Sequence, residues 1–335
     1  MKRINIAIAL DRNVLYPAYV RIRSLAKNNR KHPICVYVLH SKLTESDSNF
    51  LRDALLRDMN SENCMEFIKI DDKKVSGLRY TEFWTMEIYY RLMLPELLGG
   101  EIDRILYLDV DIIVNKDIWD FYQTDFEEKL LIVGRDMVSD PLFAMDETVI
   151  EAEKPELFEW YPFFKKFAEK GMTYFCSGVL LMNLLKLKEE YSFQKYLEIY
   201  DSISEKIIYP DQDLLNYAHY NQVKLAEEKQ FGLFAYPAHE MGMSYEEVSS
   251  NACIIHFAGT KPWTINLIRY DIEKIWWEYA KDAPFYQELL ETVFYQSMES
   301  RFTEDKFQEL MKENQELKEM LGKCQEIIQR FSGGA

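Results

Sequence analysis

The sequence predicts an α/β fold with a mostly parallel central sheet flanked by helices. Two short apolar runs, 4–10 and 34–39, are separated by a helix-like segment at 16–28, which is the strand, helix, strand order of a parallel sheet. Two aspartates, Asp109 and Asp111, directly follow a later apolar run. Ligands of open parallel sheets bind beyond the carboxyl ends of the strands, so the aspartates lie where such a sheet binds its ligand.

The other predicted elements continue this alternation along the chain. The segment 44–60 begins with Thr44, a residue type that caps helices, and continues with apolar residues at helical spacing. The further predicted strands cover 66–70, 104–108, 130–133 and 252–257, and the further predicted helices cover 85–98 and 192–203. Residues 179–185 are predicted to form a buried apolar segment. Residues 139–170 have no clear periodicity, which predicts an excursion of loops and helices beside the site.

Length and charge narrow the class of protein. A chain of 335 residues can form one large domain or a domain with an appendage. The formal net charge of -16 argues against a general nucleic-acid binder, because such proteins normally carry a basic face. The first apolar run is too short for a signal peptide, and no run approaches the roughly 18 residues of a membrane span. We expect a cytoplasmic protein, peripheral at most to the inner face of a membrane.

The cysteines are widely separated and form no Cys-x-x-Cys pair, which argues against a zinc site or dithiol chemistry. They are Cys35, Cys64, Cys176, Cys253 and Cys324. An odd number of scattered cysteines predicts free thiols in a reducing compartment.

The C-terminal segment has a different pattern. Its apolar positions alternate in spacing between 3 and 4, which is a heptad repeat, and Glu and Lys fill the positions between them. The repeat comprises Phe307, Leu310, Asn314, Leu317, Leu321, Cys324, Ile328 and Phe331. A strict 3.5-residue period favours a coiled coil with another chain, and Asn314 at an a position is a residue type that specifies register. We therefore predict a homodimer through this helix, with a solitary helix docked on the core as the alternative.

The two aspartates carry the strongest electrostatic signal. Desolvating each carboxylate costs several kcal/mol, so a buried strand end should not hold two of them without a compensating cation. Hard carboxylate oxygens bind divalent cations, and such a cation also neutralises phosphate charge. An Asp-x-Asp pair on a solvated loop is the ordinary alternative, but apolar residues flank this pair on both sides. Asp109 and Asp111 therefore predict a divalent cation that carries a phosphorylated ligand.

Two later segments add polar groups at comparable positions. Asp211, Gln212 and Asp213 begin a predicted helix, where the helix dipole also favours acidic residues. Helix capping can explain Asp211. It does not explain Gln212 and Asp213 equally well. His256 ends a predicted strand, and Lys261, a residue type suited to phosphate, follows it.

Six motifs occur in order between residues 3 and 265. They are Ala-Leu-Asp-Arg-Asn at 9–13, Tyr-Tyr-Arg-Leu at 89–92, Tyr-Leu-Asp-Val-Asp at 107–111, Ser-Gly-Val-Leu-Leu-Met-Asn at 177–183, Asp-Gln-Asp at 211–213 and His-Phe-Ala-Gly-Thr-Lys-Pro-Trp at 256–263. As a set they resemble the retaining nucleotide-sugar glycosyltransferases of family 8, the group of bacterial lipopolysaccharide galactosyl- and glucosyltransferases and glycogenin. The resemblance implies a GT-A type fold that transfers glucose or galactose from a UDP-sugar to a glycan, glycolipid or protein-linked acceptor.

The resemblance also assigns roles by position. The residues that would hold Mn²⁺, or Mg²⁺ in its place, are Asp109, Asp111 and His256. Those matched to a catalytic role around the donor sugar are Arg91, Asp211 and Gln212. Those that would contact the UDP-sugar are Ala9, Asp11, Asn13, Thr85, Asp109, Val110, Asp136, Ser177, Gly259 and Lys261.

Members of the family retain the anomeric configuration. No carboxylate of this sequence is obviously placed as a nucleophile. We therefore expect front-face attack by the acceptor, assisted by the departing phosphate, rather than a covalent intermediate.

Two features depart from the family's pattern. Cys176 stands where many relatives have Asn, which removes an expected amide contact, and the spacing between Gly259 and Lys261 is one residue shorter than usual.

Two other functions fit parts of the sequence. Haloacid-dehalogenase-type phosphatases also place Asp-x-Asp after an apolar strand, but near the start of the domain, whereas this pair lies past residue 100. A non-catalytic scaffold would use the coiled coil alone, yet all three predicted metal ligands are present. We predict a catalytic domain at 1–265, a helical segment at 266–300 and a coiled-coil helix at 301–331.

Overall fold

The computed structural model describes most of the chain. The described residues are 3–57, 62–81, 84–142, 147–153, 173–259, 261–264 and 269–295, with isolated positions at 145, 165, 298, 308, 311, 312 and 315. The chain divides into two compact units, one formed by 1–262 with 270–283 and the other by 263–269 with 284–335. Among the described residues, no helix is both long and apolar enough to cross a membrane.

Strands and helices alternate along the described chain. The strands are β1 (Ile4–Ala9), β2 (Ile34–His40), β3 (Cys64–Lys69), β4 (Arg104–Leu108), β5 (Ile112–Val114), β6 (Leu131–Arg135), β7 (Phe175–Asn183), β8 (Val223–Leu225), β9 (Gly232–Phe234) and β10 (Ile254–His256). The α-helices are α1 (Leu15–Asn28), α2 (Glu45–Leu56), α3 (Leu94–Leu98), α4 (Trp119–Tyr122), α5 (Ser139–Leu142), α6 (Glu147–Glu153), α7 (Leu184–Glu190), α8 (Phe193–Ile203), α9 (Pro210–His219), α10 (Glu228–Phe231), α11 (Ala235–Glu240), α12 (Tyr245–Asn251) and α13 (Lys274–Ala280). Short 3₁₀ helices cover Arg12–Val14, Asp72–Lys74, Met86–Met93, Ser204–Lys206 and Asp271–Glu273.

A seven-stranded sheet lies at the centre of the first unit, in the order β3-β2-β1-β4-β7-β6-β8. Its paired strands are parallel except for β7, which runs antiparallel to β4 and β6. β2 is buried along its whole length, as expected of a parallel strand with both faces covered. The predicted α/β fold with a mostly parallel sheet is confirmed.

A second, three-stranded sheet in the order β5-β10-β9 supplies the rest of the framework for the site. β10 pairs antiparallel with β5, and this register places His256 opposite Ile112. β10 also pairs in parallel with β9, which places His256 opposite Phe234. Because Asp111 immediately precedes β5, the strand pairing brings His256 to the aspartate.

The ends and types of the helices follow local chemistry. Thr44 caps α2 through a capping box, in which its hydroxyl accepts from the Asp47 backbone N–H and the Asp47 carboxylate accepts from that of Thr44. The predicted helix at 85–98 is instead the 3₁₀ helix Met86–Met93 followed by α3. Over eight residues, periods of 3.0 and 3.6 give nearly the same apolar pattern. β5, β8 and β9 are three residues long and were not predicted, because such short runs establish no period. β10 is equally short but lies within the longer predicted strand at 252–257.

The prediction of five free thiols is wrong for one pair. Cys35 on β2 and Cys64 on β3 stand opposite each other in register, with Cα atoms 4.5 Å apart, and are joined as a disulfide. They are 29 residues apart in the sequence, and the register between two strands, which spacing does not reveal, brings them together. Cys176 and Cys253 are free thiols, and Cys324 lies outside the described residues.

Two predicted segments fall wholly or mainly outside the described residues. The heptad positions in 307–331 are all outside them, so the coiled coil, the homodimer and the domain boundary at 301 stay predictions. Within the predicted excursion at 139–170, α5 and α6 are described, while 154–164 and 166–170 are not.

One buried cation in the core has no hydrogen-bond partner among the described residues. Arg21 on α1 is fully buried, and none of its three guanidinium nitrogens has a hydrogen-bond partner in the part of the chain that the structure describes. Burial lowers the pKa of Arg21 to about 9, while Tyr107, Asp109 and Asp111 act in the opposite direction. Burying a guanidinium whose nitrogens find no hydrogen-bond partner among the described residues costs several kcal/mol, so Arg21 lowers the stability of the fold.

The stability of the fold is expected to depend on the protonation of His219. This residue of α9 is fully buried, and its Nε2 lies 2.7 Å from the hydroxyl of Tyr196. Burial lowers its pKa from 6.5 to about 4. The unfolded chain therefore binds this proton below pH 6.5, whereas the folded chain binds it only near pH 4. The stabilisation is complete above pH 6.5, is lost as the pH falls toward 4, and amounts to about 3 kcal/mol.

Urea unfolding of the wild type and of His219→Gln measures this contribution. Between about pH 7.5 and about pH 5, the loss of stability in the wild type is expected to exceed that in the variant by about 2 kcal/mol. His239→Gln, at an exposed histidine, is the matched control and should follow the wild type. An unchanged pH dependence in His219→Gln would contradict the prediction.

Candidate active site

The predicted metal ligands meet at the carboxyl end of β4. Asp109 follows β4, Asp111 precedes β5 and His256 ends β10. One ligand atom from each of the three lies within 4.8 Å of the other two. Residues far apart in the sequence thus form one group of two carboxylates and an imidazole.

Asp111 is buried between two cationic side chains. Its Oδ1 lies 3.1 Å from Nε2 of His256, and its Oδ2 pairs with Nζ of Lys261. Burial opposes the ionisation of Asp111, but Lys261 and His256 outweigh burial and hold its pKa well below the ordinary value. Asp111 is therefore a carboxylate throughout the physiological pH range.

The imidazole of His256 has neighbours at both nitrogens and along one edge. Nε2 faces Asp111, and Nδ1 lies 3.5 Å from the sulfur of Cys176. The ring of Phe234 meets the imidazole edge to face, at a centroid distance of 5.1 Å. Burial would lower the pKa of His256, but Asp111 and Cys176 raise it well above the ordinary value.

Gly178 on β7 leaves the space in which Asp109 and His256 approach each other. A Cβ atom at this position would lie 2.6 Å from Cε1 of His256 and 2.8 Å from Oδ2 of Asp109. Both distances are shorter than a van der Waals contact. The close approach of the two predicted ligands therefore requires glycine at position 178.

Gly178→Ala is expected to weaken the binding of Mn²⁺ by about tenfold or more, because the methyl group would displace His256 and Asp109. Isothermal titration with Mn²⁺ measures the effect. Gly134→Ala on β6 is the matched control, since its Cβ would meet its nearest neighbour at an ordinary 3.6 Å. Wild-type affinity in Gly178→Ala would refute the expectation.

Arg91 connects the metal-ligand group to the predicted sugar site. It is only 2% exposed; its Nη2 donates to Oδ1 of Asp109 at 2.8 Å, and its Nη1 lies 3.2 Å from Oδ2 of Asp211. Nη1 also donates to the carbonyl of Ser177, and the guanidinium lies 4.2 Å from the ring centroid of Tyr107. Burial would lower the pKa of Arg91, but Asp109 and Asp211 raise it above the ordinary value. One buried cation thus balances two carboxylates.

Gln212 is held at both ends of its amide. Its Oε1 accepts a hydrogen bond from the Ser177 backbone N–H at 3.0 Å, and its Nε2 donates to Oδ2 of Asp136 at 2.8 Å. The other oxygen of Asp136 accepts from the backbone N–H groups of Val138 and Ser139. Three predicted donor-side residues therefore form one hydrogen-bonded chain between β7, β6 and α9.

Asp213 holds in place the backbone that leads into α9, the helix that carries Asp211. Its carboxylate accepts hydrogen bonds from the backbone N–H groups of Ile208 and Tyr209, at 2.7 and 2.9 Å, and from the hydroxyl of Tyr174. Burial raises the pKa of Asp213 to about 7. Its contacts give it a structural role in placing the start of α9.

The residues predicted to bind the nucleotide lie beyond the carboxyl end of β1. Ala9 ends β1, and Asp11 accepts hydrogen bonds from the backbone N–H and the side-chain amide of Asn13. Thr85 is half-buried and precedes the third 3₁₀ helix. Since β1 and β4 are parallel neighbours, the end of β1 shares one edge of the sheet with Asp109.

The remaining predicted contacts flank the aspartates. Val110 is half-buried between them. Gly259 has a φ of +80°, in the left-handed region that favours glycine. Lys261 was predicted to contact a diphosphate, and the structure pairs its Nζ with Asp111 and with the Phe257 carbonyl at 3.2 Å. Lys261 therefore lies directly beside the metal-ligand group.

Sequence reasoning missed several contacts within the site. The hydroxyl of Tyr107 donates to Oδ1 of Asp109 at 3.0 Å, and their spacing of two residues at a strand end was the available signal. Asn216 hydrogen-bonds both the N–H and the C=O of Phe175, each at 2.8 Å. No pattern in the sequence pointed to Asn216, because its partner lies on another element.

The donor set suits a divalent cation such as Mn²⁺ or Mg²⁺. Such ions accept carboxylate oxygens, Mn²⁺ also accepts imidazole nitrogen, and three protein ligands leave coordination positions for water and phosphate oxygens. The absence of a side chain at Gly178 keeps the space beside Asp109 and His256 open. The residues present therefore fit the cation that the sequence predicts.

The fold and the carboxylate pair at the end of β4 define a glycosyltransferase of the GT-A type. The chain belongs to glycosyl transferase family 8, whose family model matches residues 5–266. This match confirms the family resemblance. A haloacid-dehalogenase-type phosphatase is therefore not needed to explain the Asp-x-Asp pair.

Individual relatives extend over most of the chain. Lipopolysaccharide 1,2-glucosyltransferase of Escherichia coli K12 is 26% identical over 265 residues, which are 78% of this chain and 72% of that protein. Lipopolysaccharide 1,3-galactosyltransferase of Salmonella typhimurium is 24% identical over 266 residues, which are 78% of this chain and 73% of that protein. The crystal structure of the galactosyltransferase LgtC in complex with donor and acceptor sugar analogs has a TM-score of 0.65 at 22% identity, covering 84% of this chain and 96% of LgtC. This likeness confirms the predicted GT-A type fold.

Proposed function

We propose that this glycosyltransferase moves glucose or galactose from a UDP-sugar to a glycan or glycolipid, with retention of configuration and with Mn²⁺ or Mg²⁺ as cofactor. The observation that carries the proposal is the group formed by Asp109, Asp111 and His256, whose ligand atoms lie within 4.8 Å of one another. Arg91 ties this group to Asp211. The names of the relatives, lipopolysaccharide glucosyl- and galactosyltransferases, support a hexose donor and a lipopolysaccharide-type acceptor.

The roles of the chain's own residues follow from their contacts. A bound cation would neutralise the diphosphate and stabilise the charge that UDP gains on leaving. Arg91 and Tyr107 hold one oxygen of Asp109, so the other oxygen can serve as a ligand. Lys261, beside Asp111, would donate a hydrogen bond to a phosphate oxygen.

The surroundings of Asp211 and Gln212 support front-face attack over a covalent intermediate. A carboxylate nucleophile must be free to attack the anomeric carbon, whereas Asp211 is buried and paired with Arg91. Oε1 of Gln212 already accepts a hydrogen bond from Ser177. In front-face attack, the bond from the anomeric carbon to UDP breaks as the bond to the acceptor oxygen forms on the same face. The acceptor proton passes to the departing phosphate, and the negative potential of Asp211 favours the oxocarbenium-like sugar.

The other predicted contacts are assigned by their position at the sheet edge. For the uridine we propose Ala9, Asp11 and Asn13, for the rest of the nucleotide Thr85, Asp109 and Val110, for the diphosphate Gly259 and Lys261, and for the sugar Asp136, Ser177 and Gln212. Replacing Asp11 with alanine should weaken UDP binding; an unchanged dissociation constant would remove Asp11 from the uridine site.

Titration with UDP, with and without Mn²⁺, tests the proposed function. UDP is expected to bind in the presence of Mn²⁺ and to lose measurable binding without a divalent ion. A panel of UDP-sugars and glycan acceptors, monitored by UDP release, then identifies the donor. Phosphatase turnover that ignores UDP would overturn the proposal, and no turnover with any donor or acceptor would favour the non-catalytic scaffold.

We also propose a homodimer assembled through the heptad helix. The support is the heptad spacing and the Asn314 at an a position. Light scattering of the full chain and of a chain ending at Ser300 should give a dimer and a monomer. A monomeric full chain would remove this part of the proposal.

A further inference from the structure

The free thiol of Cys176 contacts His256 on the side of the ring away from Asp111. Cys176 is buried on β7, and its sulfur lies 3.5 Å from Nδ1 of His256. The backbone N–H of Gly178 donates to the same sulfur at 3.3 Å. On the opposite side of the ring, Nε2 lies 3.1 Å from Oδ1 of Asp111.

A histidine that binds a metal must present one ring nitrogen with a free electron pair. The other nitrogen then carries the hydrogen and needs an acceptor, commonly a carboxylate, a backbone carbonyl or water. Nε2 of His256 faces Asp111, so Nδ1 is the nitrogen that must carry the hydrogen. Among the described residues, the hydrogen-bonding atom placed at Nδ1 is the sulfur of Cys176.

The other neighbours of the ring restrict its position but not its tautomer. Phe234 meets the imidazole edge to face, and Gly178 leaves room for Cε1. Neither offers an acceptor to Nδ1. A thiol sulfur has lone pairs that accept hydrogen bonds, although more weakly than oxygen does.

We propose that Cys176 is a positioning residue for metal binding, whose sulfur accepts the Nδ1 hydrogen of His256 and so keeps Nε2 available as the ligand atom. This role rests on the proposed metal-dependent function. Cys176 acts through His256, the residue that its sulfur contacts.

The affinity for Mn²⁺, measured by electron paramagnetic resonance of the free ion without nucleotide or sugar, tests this role. Cys176→Ala removes the acceptor and is expected to bind Mn²⁺ about 10- to 100-fold more weakly than the wild type. Cys176→Ser has nearly the same size as the alanine variant but restores an acceptor. Its affinity for Mn²⁺ should therefore be at least about threefold higher than that of Cys176→Ala. Cys253→Ala, at the other free thiol of the described residues, is the matched control and should bind like the wild type.

The outcomes separate this role from the proposed function. A wild type that binds no divalent ion overturns the metal-dependent function itself. A wild type that binds Mn²⁺, together with unchanged affinity in Cys176→Ala or equal losses in the alanine and serine variants, overturns the role of Cys176 alone. Equal losses would mean that the sulfur only fills space.

Nitrogen NMR of the histidine-labelled wild type gives a second reading, in which His256→Gln serves only to assign the signal. With Zn²⁺ bound, a diamagnetic ion that accepts imidazole nitrogen, His256 is expected to carry its hydrogen on Nδ1. A hydrogen on Nε2 in the zinc-bound protein would overturn the role, because Nε2 would then have no electron pair for the ion.

Discussion

Asp111→Asn is expected to reduce sugar transfer by about a thousandfold or more, since the loss of a proposed metal ligand would remove several kcal/mol of stabilisation from the departing diphosphate. The substitution preserves size and replaces a carboxylate that Lys261 and His256 hold in its ionised form. It leaves those two groups without their shared anion. UDP release from the preferred donor measures the loss, and titration with Mn²⁺ reports whether metal binding fails with it.

Asp117→Asn is the control for this variant. Asp117 belongs to the same stretch of chain, but its side chain is 42% exposed and pairs with His32 at 3.6 Å. A surface pair of this kind contributes little, so transfer should stay within about twofold of the wild type. If Asp111→Asn retained more than about a tenth of the wild-type rate, Asp111 would not be a ligand of the ion on which catalysis depends.

Arg91→Met is expected to destabilise the fold by about 3–5 kcal/mol and to abolish transfer, because it leaves the buried Asp211 and its neighbour Asp109 without their shared cation. Methionine keeps the unbranched apolar stem of the arginine side chain and lacks the guanidinium, so the lost charge and its hydrogen bonds account for most of the effect. Urea unfolding measures the change in stability. Arg91→Lys keeps the charge but has one nitrogen for two carboxylates and should recover only part of the stability.

Arg57→Met is the matched control for the stability measurement. Arg57 pairs with Asp53 at 3.7 Å on the surface, where its side chain is 42% exposed. Such a pair contributes about 0–1 kcal/mol. A loss of stability in Arg91→Met no larger than in Arg57→Met would show that the pairing of Arg91 is energetically unimportant.

The sequence was sufficient for the features that depend on local patterns. The alternation of β1, α1 and β2 appears as apolar runs and helical spacing, and Thr44 marks the start of α2. Asp109 and Asp111 stand out because carboxylates are unexpected beside buried strands. His256 was predicted as the third metal ligand from its position at a strand end and from the family resemblance. The structure brings the three residues together.

Features that depend on long-range pairing were beyond the sequence. The disulfide of Cys35 with Cys64 depends on the register between β2 and β3. The contact of Cys176 with His256 depends on the approach of β7 to β10, and Cys176 was noted only as a departure from the family. Arg91 was matched to the sugar site, but its bridge between two carboxylates needs the folded arrangement. In each case the partners come from different elements, and tertiary packing decides which of them meet.

Arg21 has a consequence for how this protein can change over evolutionary time. Its buried guanidinium has no hydrogen-bond partner in the part of the chain that the structure describes and lowers stability, so an apolar residue at this position would give a more stable chain. The same positive charge interacts favourably with Asp109 and Asp111, which must stay ionised to bind a cation. Selection for a more robust fold and selection for the acidic pair therefore act in opposite directions on one side chain, the trade-off expected where activity and stability compete.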